Sequence, residues 1–186
     1  RLMHLVENVL SFSRIERGRA AVRMESVGVQ ELFDRLSPRL RQRCDSAGLA
    51  LVIESQSSTE LARAKMDAMA VEQILFNLTD NACKYAAPDS ECRELKVTAK
   101  ADRDWISMEV QDFGPGLPRD QMRRLFQPFS KSATEAAHTA PGVGLGLALS
   151  RRLAREMGGD LCFEERTGRG ATFCLRLPRD NGAVQT

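Results

Sequence analysis

Two stretches of strict alternation constrain this chain more than any other feature. Leu95, Val97 and Ala99 alternate with Lys96, Thr98 and Lys100, and Ile106, Met108 and Val110 alternate with Ser107, Glu109 and Gln111. Successive side chains on a strand point to opposite faces, so each stretch has one apolar and one polar face. Residues 102–104 make the turn between them. A sheet of such strands is buried on one face only, which favours antiparallel pairing. Residues 161–164 and 171–177 read as a second pair, joined by Gly168-Arg169-Gly170. Helices must cover the buried face. The expected fold is an α/β (α+β) two-layer sandwich, with a mixed, largely antiparallel sheet covered on one face by helices.

The helix that would cover it most directly is residues 73–86. Gln73, Asn77, Asn81 and Lys84 fall close to one stripe, while Ile74, Leu75, Leu78, Ala82 and Tyr85 fall on the other side. Amides in mid-helix gain little from helix propensity, so a front of amides and one ammonium suits a binding site. Asn offers a neutral oxygen to a hard cation such as Mg²⁺, which also uses substrate phosphates. Lys84 can neutralise phosphate as a point charge. A solvated polar face is the competing reading, and the motifs elsewhere weigh against it.

Asp67 is the expected N-cap of this helix. Upstream, residues 22–29 are extended in character, and residues 31–47 read as a helix that Pro38 should break or kink. Residues 49–54 read as a strand and 55–60 as a polar loop. Residues 1–17 carry an apolar helical stripe, Leu2, Leu5, Val9 and Phe12, widened by Val6 and Leu10. That stripe has little to pack on within one short helix, which suggests a bundle or dimer seam. Residues beyond 178 read as a frayed tail.

Composition narrows the function classes. Apolar residues make up 42% and charged residues 28% of 186, an ordinary balance for one domain. No apolar run reaches membrane-spanning length. The net charge of +2 is uneven: residues 1–43 hold nine Arg and five acids, leaving −2 on the remainder. Without interleaved aromatics, that footprint argues against nucleic acid. Cys44, Cys83, Cys92, Cys162 and Cys174 are scattered, without a Cys-x-x-Cys pair, and read as reduced packing residues. With only His4 and His138 beside them, a Cys/His zinc site is not expected. His138 reads as a solvated loop histidine. Starting at Arg1, the chain reads as an excised fragment, and anchoring of its parent in an inner membrane stays open.

Two glycine loops complete the motifs. Asp112-Phe113-Gly114-Pro115-Gly116 sits where a strand ends. Glycines there let a backbone approach a ligand, and a carboxylate can accept from an exocyclic amine. Gly142-Val143-Gly144-Leu145-Gly146-Leu147 opens a helix that runs to about Met157. A glycine-rich lead into a helix N-terminus offers N–H groups to phosphate. The spacing is not the dinucleotide fingerprint, because no parallel βαβ unit precedes it. Between the loops lie 25 residues, 117–141, the first part able to form a short helix and the second small and polar. A lid over a ligand fits such a segment.

The order of motifs is more specific than any one of them. An Asn-x-x-x-Asn-Ala-x-Lys-Tyr helix is followed by Asp-x-Gly-x-Gly, Leu-Phe-Gln-Pro-Phe, Gly-Val-Gly-Leu-Gly-Leu and Gly-x-Gly-Ala-Thr-Phe. This series resembles the catalytic ATP-binding domain of a sensor histidine kinase, a Bergerat-type fold of the GHKL ATPase superfamily. Residues 5–16 resemble the end of the second helix of such a kinase's dimerisation hairpin.

The resemblance implies a division into residues 1–18 of the hairpin, 19–178 of the ATP-binding domain and a tail at 179–186. It implies that Asn81 holds Mg²⁺, with Asn77 on the same face and Lys84 near the phosphates. Tyr85 would line the nucleotide pocket, and Asp112 would accept from the adenine amino group. Gly114 and Gly116 would let base and ribose approach. Phe126 and Phe129 would anchor the lid, and Lys131 would reach the phosphates. Gly142, Gly144, Leu145 and Gly146 would cradle the phosphate tail, and Thr172 would help fix the adenine.

The implied reaction transfers the γ-phosphoryl of ATP to a hairpin histidine, in a cytoplasmic domain of a homodimer that serves a response-regulator receiver domain. His4, followed by Leu5-Val6-Glu7, lacks the acidic neighbour of the family's acceptor. Competing readings are a GHKL ATPase or serine kinase acting on a partner, and a nucleotide-binding module without catalysis.

Overall fold

The computed structural model describes residues 22–56, 62–86, 92–129, 144–165 and 170–182. Five strands form the main sheet: β2 (Ala50–Ser55), β4 (Glu94–Ala101), β5 (Trp105–Asp112), β6 (Asp160–Glu164) and β7 (Thr172–Pro178), in the order β2-β4-β5-β7-β6. β2 and β4 run parallel, and every other pair in this sheet is antiparallel. The alternation in sequence is therefore realised as a mixed, largely antiparallel sheet. Asp102 closes the β4–β5 turn with its own carboxylate, which accepts from the N–H groups of Asp104 (3.0 Å) and Trp105 (2.8 Å).

Three helices carry the apolar layer: α1 (Val29–Asp45), α2 (Ala68–Tyr85) and α4 (Gly146–Glu156), with a single-turn α3 (Arg119–Met122) between β5 and α4. Leu95, Val97, Ala99, Ile106, Met108 and Val110 share one buried cluster with Leu32, Leu36, Ile74, Leu75, Leu78 and Leu149. Each of these side chains except Ala99 contributes roughly 1.5–3 kcal/mol relative to exposure. The opposite face carries Lys96, Thr98, Lys100, Glu109 and Gln111, which line a shallow polar cavity with Glu54.

Asp67 caps α2 as expected: its Oδ1 accepts from Ala70 N–H (3.1 Å) and its Oδ2 from Arg23 N–H (2.9 Å). Three expectations are corrected. Pro38 lies inside an unbroken α1. It is exposed, so water can satisfy the carbonyl it leaves unpaired, while Leu32, Leu36, Leu40 and Cys44 hold both halves on the core. A short strand β3 (Arg63–Met66) precedes α2 and pairs antiparallel with β1 (Glu25–Gly28). Finally, residues 179–181 are tied down: Arg179 N–H donates to Asp104 O (2.9 Å), Asp180 N–H to Arg63 O (2.8 Å) and the Asn181 amide to Arg103 O (3.0 Å). Among the described residues no helix is long and apolar enough to cross a membrane.

Candidate functional site

The polar stripe of α2 forms one wall. Gln73, Asn77, Asn81 and Lys84 are all half-buried, above the fully buried Ile74, Leu75 and Leu78. The Asn77 amide donates to Ser150 Oγ on α4 (3.3 Å). The backbone of Gly146, the first residue of α4, lies close enough that an added Cβ would sit 3.9 Å from the Asn77 amide carbon. The glycine-rich opening of α4 is therefore set against the asparagine stripe. Gly144 has φ +71°, and Leu145 is buried, its carbonyl accepting from Leu149 N–H (2.9 Å).

Lys84 is engaged. It pairs with Asp80 one turn back, and Asp80 also accepts from the Arg43 guanidinium on α1 (2.8 Å). Burial pushes the Asp80 carboxyl up, but hydrogen bonds from Lys84 and Arg43 outweigh it and hold it below the usual carboxylate range. Asp80 was not singled out in sequence, although an Asp four residues before a Lys on a helix is the signal for such a pair. Ser150 gave no such signal, because its partner is on another helix.

Asp112 ends β5 and forms the second wall. It is 8% exposed, and its Oδ1 accepts from Gly114 N–H (3.0 Å) and Ala171 N–H (3.1 Å). Among the described residues no hydrogen bond falls on its Oδ2. Burial pushes this carboxyl above its usual range, and the two N–H groups pull it only part of the way back. The surroundings are close-fitted. A Cβ on Gly114 would lie 2.5 Å from the Ala86 Cβ, just past the end of α2. A Cβ on Gly170, at φ +107°, would lie 2.0 Å from the Asp112 carbonyl oxygen. Gly116, at φ +80°, faces the Gly170 carbonyl.

Two residues face otherwise than expected. Thr172 pairs with Gln111, a residue of the polar outer face, and paired residues share a face. Its hydroxyl is therefore on the side away from the helices. Ala171, one residue earlier, is the residue that meets Asp112, through its backbone N–H. Tyr85 is exposed rather than apolar-side, because the last turn of α2 runs past the core. Phe126 lies 4.7 Å beneath the Arg151 guanidinium of α4, whereas Phe129 is 63% exposed at φ +58°. Lys131, His138 and Gly142 lie outside the described residues, as does the helix expected at residues 1–17.

The arrangement presents a buried carboxylate at one end and amide oxygens beside a glycine-opened helix at the other. Residues 66–181 match the family described as histidine kinase-, DNA gyrase B-, and HSP90-like ATPase. The chain is 30% identical over 177 residues to the circadian input-output histidine kinase CikA of Synechococcus elongatus, covering 95% of this chain and 23% of that protein. It is 29% identical over 177 residues to the sensor histidine kinase RcsC of Escherichia coli K12, covering 95% and 18%. The chain thus spans about a fifth of the length of these curated relatives. Among solved structures it resembles full-length ShkA in complex with AMPPNP, with a TM-score of 0.76 and 29% identity over 96% of this chain and 36% of that one. Acinetobacter baumannii histidine kinase AdeS shares the fold, with a TM-score of 0.74 at 23% identity over 97% and 79%.

Proposed function

The chain belongs to the histidine kinase-, DNA gyrase B- and HSP90-like ATPase family, and from that premise we propose that residues 19–178 bind Mg²⁺-ATP and donate its γ-phosphoryl group to a histidine on a dimerisation hairpin. The observation that carries this reading is Asp112. A carboxylate 8% exposed, with both backbone bonds on Oδ1, suits an amino group that arrives with a ligand. The adenine amine is such a group.

The remaining roles follow from the chemistry of each residue. Gly114 and Gly116 let the loop after Asp112 pack against Ala86 and Gly170, and their backbone forms the wall that base and ribose would approach. Tyr85 borders the pocket. Gly142, Gly144, Leu145 and Gly146 present backbone N–H groups to the phosphate tail, with Lys84 and Lys131 supplying positive charge. Phe129 belongs to the segment that anchors the lid. The donor set fits a hard cation: Asn81 is half-buried and offers a neutral oxygen on the stripe that meets Gly146. Mg²⁺, when bound, would neutralise charge on the phosphate oxygens.

In the transfer, the bond between the γ-phosphorus and the bridging oxygen breaks, ADP leaves, and a P–N bond forms to the acceptor imidazole, which gives up a proton. Such a reaction rests on positioning and electrostatics, which a pocket of this kind supplies. Residues 1–18 would be the end of a hairpin helix. The parent would work as a homodimer, deliver phosphoryl to a response-regulator receiver domain, and place this domain in the cytoplasm.

The test is incubation of the chain with γ-labelled ATP, Mg²⁺ and a supplied histidine-bearing hairpin. Acid-labile label on the hairpin histidine is expected. Label on serine, or free phosphate alone, would move the assignment to a serine kinase or ATPase, and binding without turnover to a nucleotide-binding module.

A further inference from the structure

We infer that Cys162, Glu164 and Cys174 form a thiolate-rich divalent metal site of the zinc class on the outer face of the sheet. The register places the three groups together. Cys162 on β6 lies directly opposite Cys174 on β7, and Glu164 is two residues further along the same face of β6. Their two sulfurs and a carboxylate oxygen lie within 4.8 Å of one another. The Cys162 thiol donates to the Cys174 carbonyl (3.5 Å), which aims its sulfur across the ladder.

The neighbouring acids are committed elsewhere. Glu109, opposite Cys174 on β5, is held by Lys100 (2.9 Å). Asp160 is gripped by Arg151 (2.9 Å) and Arg155 (3.1 Å). Glu164 is the carboxylate within 4.8 Å of both sulfurs. A soft cation would displace the proton of each thiol to solvent and take both sulfurs and the Glu164 carboxylate as ligands.

Two thiolates and one carboxylate favour zinc over magnesium. With Zn–S bonds of about 2.3 Å, tetrahedral binding needs only a modest approach of the sulfurs, and it leaves a fourth position for water. The scattered cysteines gave no sign of this in sequence, because pairing across strands, not spacing, brings them together. The site lies on the face away from Asp112 and Asn81, so it stands or falls independently of the nucleotide reading.

The test is titration of the reduced 186-residue chain with Co²⁺ as a spectroscopic probe, in a phosphine reductant. Thiolate-to-cobalt charge transfer and tetrahedral ligand-field bands are expected, saturating at one ion per chain and displaced by Zn²⁺. C162S and C174S should abolish them. E164Q should weaken binding roughly tenfold or more, at least what loss of an outer partner of a ligand costs. C92S should change nothing. Because Cys174 is buried and its replacement risks the fold, the half-buried Cys162 carries a second readout: Zn²⁺ should raise the melting temperature of the parent and not of C162S. Absence of thiolate charge transfer in the parent would overturn the site. So would bands that survive in C162S, or that vanish instead in C83S, where Cys44 and Cys83 form the other neighbouring thiol pair.

Discussion

The two ends of the candidate site are built in different ways. At the Asp112 end the contacts are backbone: N–H groups of Gly114 and Ala171 on one oxygen, and glycines pressed against Ala86 and the Asp112 carbonyl. At the asparagine end they are side chains from three helices: Arg43 on α1, Asp80 and Lys84 on α2, and Asn77 on α2 meeting Ser150 on α4. The first end is fixed as soon as the sheet and α2 are formed. The second can adjust by rotamer. Replacing the close-packed glycines of the first end should therefore disturb the fold, and replacing side chains of the second mainly the ligand.

The largest effect should come from Gly170→Ala. Its Cβ meets the Asp112 carbonyl oxygen at 2.0 Å with φ at +107°. Strain and overpacking together should cost about 3 kcal/mol or more, read by urea unfolding. A loss near zero would mean that the Asp112 end is not rigid. Next is Asn81→Ala. Its side chain is half-buried, so unfolding should shift by no more than about 0.5 kcal/mol. Mg²⁺-ATP affinity should fall about tenfold, a value near 1.4 kcal/mol. A large loss of stability with unchanged affinity would erase the contrast between the ends.

A smaller effect should follow from Asp160→Asn, which touches neither end. Hydrogen bonds from Arg151 hold that carboxyl down at about 2, against 3.8 for the ordinary group, with burial opposing and Arg155 assisting. A depressed folded value stabilises above the unfolded value, and that contribution disappears as pH falls through the folded one. The parent should thus exceed the variant by at most about 1 kcal/mol, since the pair is substantially exposed. Melting curves should converge as pH drops from 3.8 toward about 2. Curves that stay parallel would deny the ion pair its role. Gly146→Ala should do least to the fold. An added Cβ meets Asn77 only at 3.9 Å, and alanine gains up to about 1 kcal/mol over glycine within a helix. A destabilised variant would show α4 to be as tightly fitted as Gly170.

Much of this architecture was legible in sequence because it is written in local period. The alternation of residues 95–100 and 106–111 became β4 and β5 in register, and the Asp67 cap and the α2 stripe follow from spacing along one helix. What escaped depends on contacts between elements. β3 is four residues, two of them charged, and reads as loop until Ala64 and Met66 are seen buried beneath β1 and β7. Pro38 should break a helix by local rules, but the stripe from Leu32 to Cys44 holds α1 together. The resemblance implies that Thr172 helps fix the adenine, yet a shift of one residue reverses the face of a strand, and Ala171 is the residue that meets Asp112. The Lys84 partner was within reach of sequence reasoning. The Ser150 partner of Asn77 was not.

The central claim is that Asp112 reads the nucleotide base, and it is tested most directly by calorimetric titration with ATP, with and without Mg²⁺, of the parent and Asp112→Asn, each also melted. Loss of a charged hydrogen bond of about 1.5–3 kcal/mol predicts binding weaker by roughly ten- to a hundredfold. Burial raises this carboxyl, so above its folded value the charge costs stability. Asparagine keeps an oxygen for Gly114 and Ala171 while removing that charge, so the variant should melt no lower than the parent. Equal ATP affinity in the two proteins, both folded, would contradict the account.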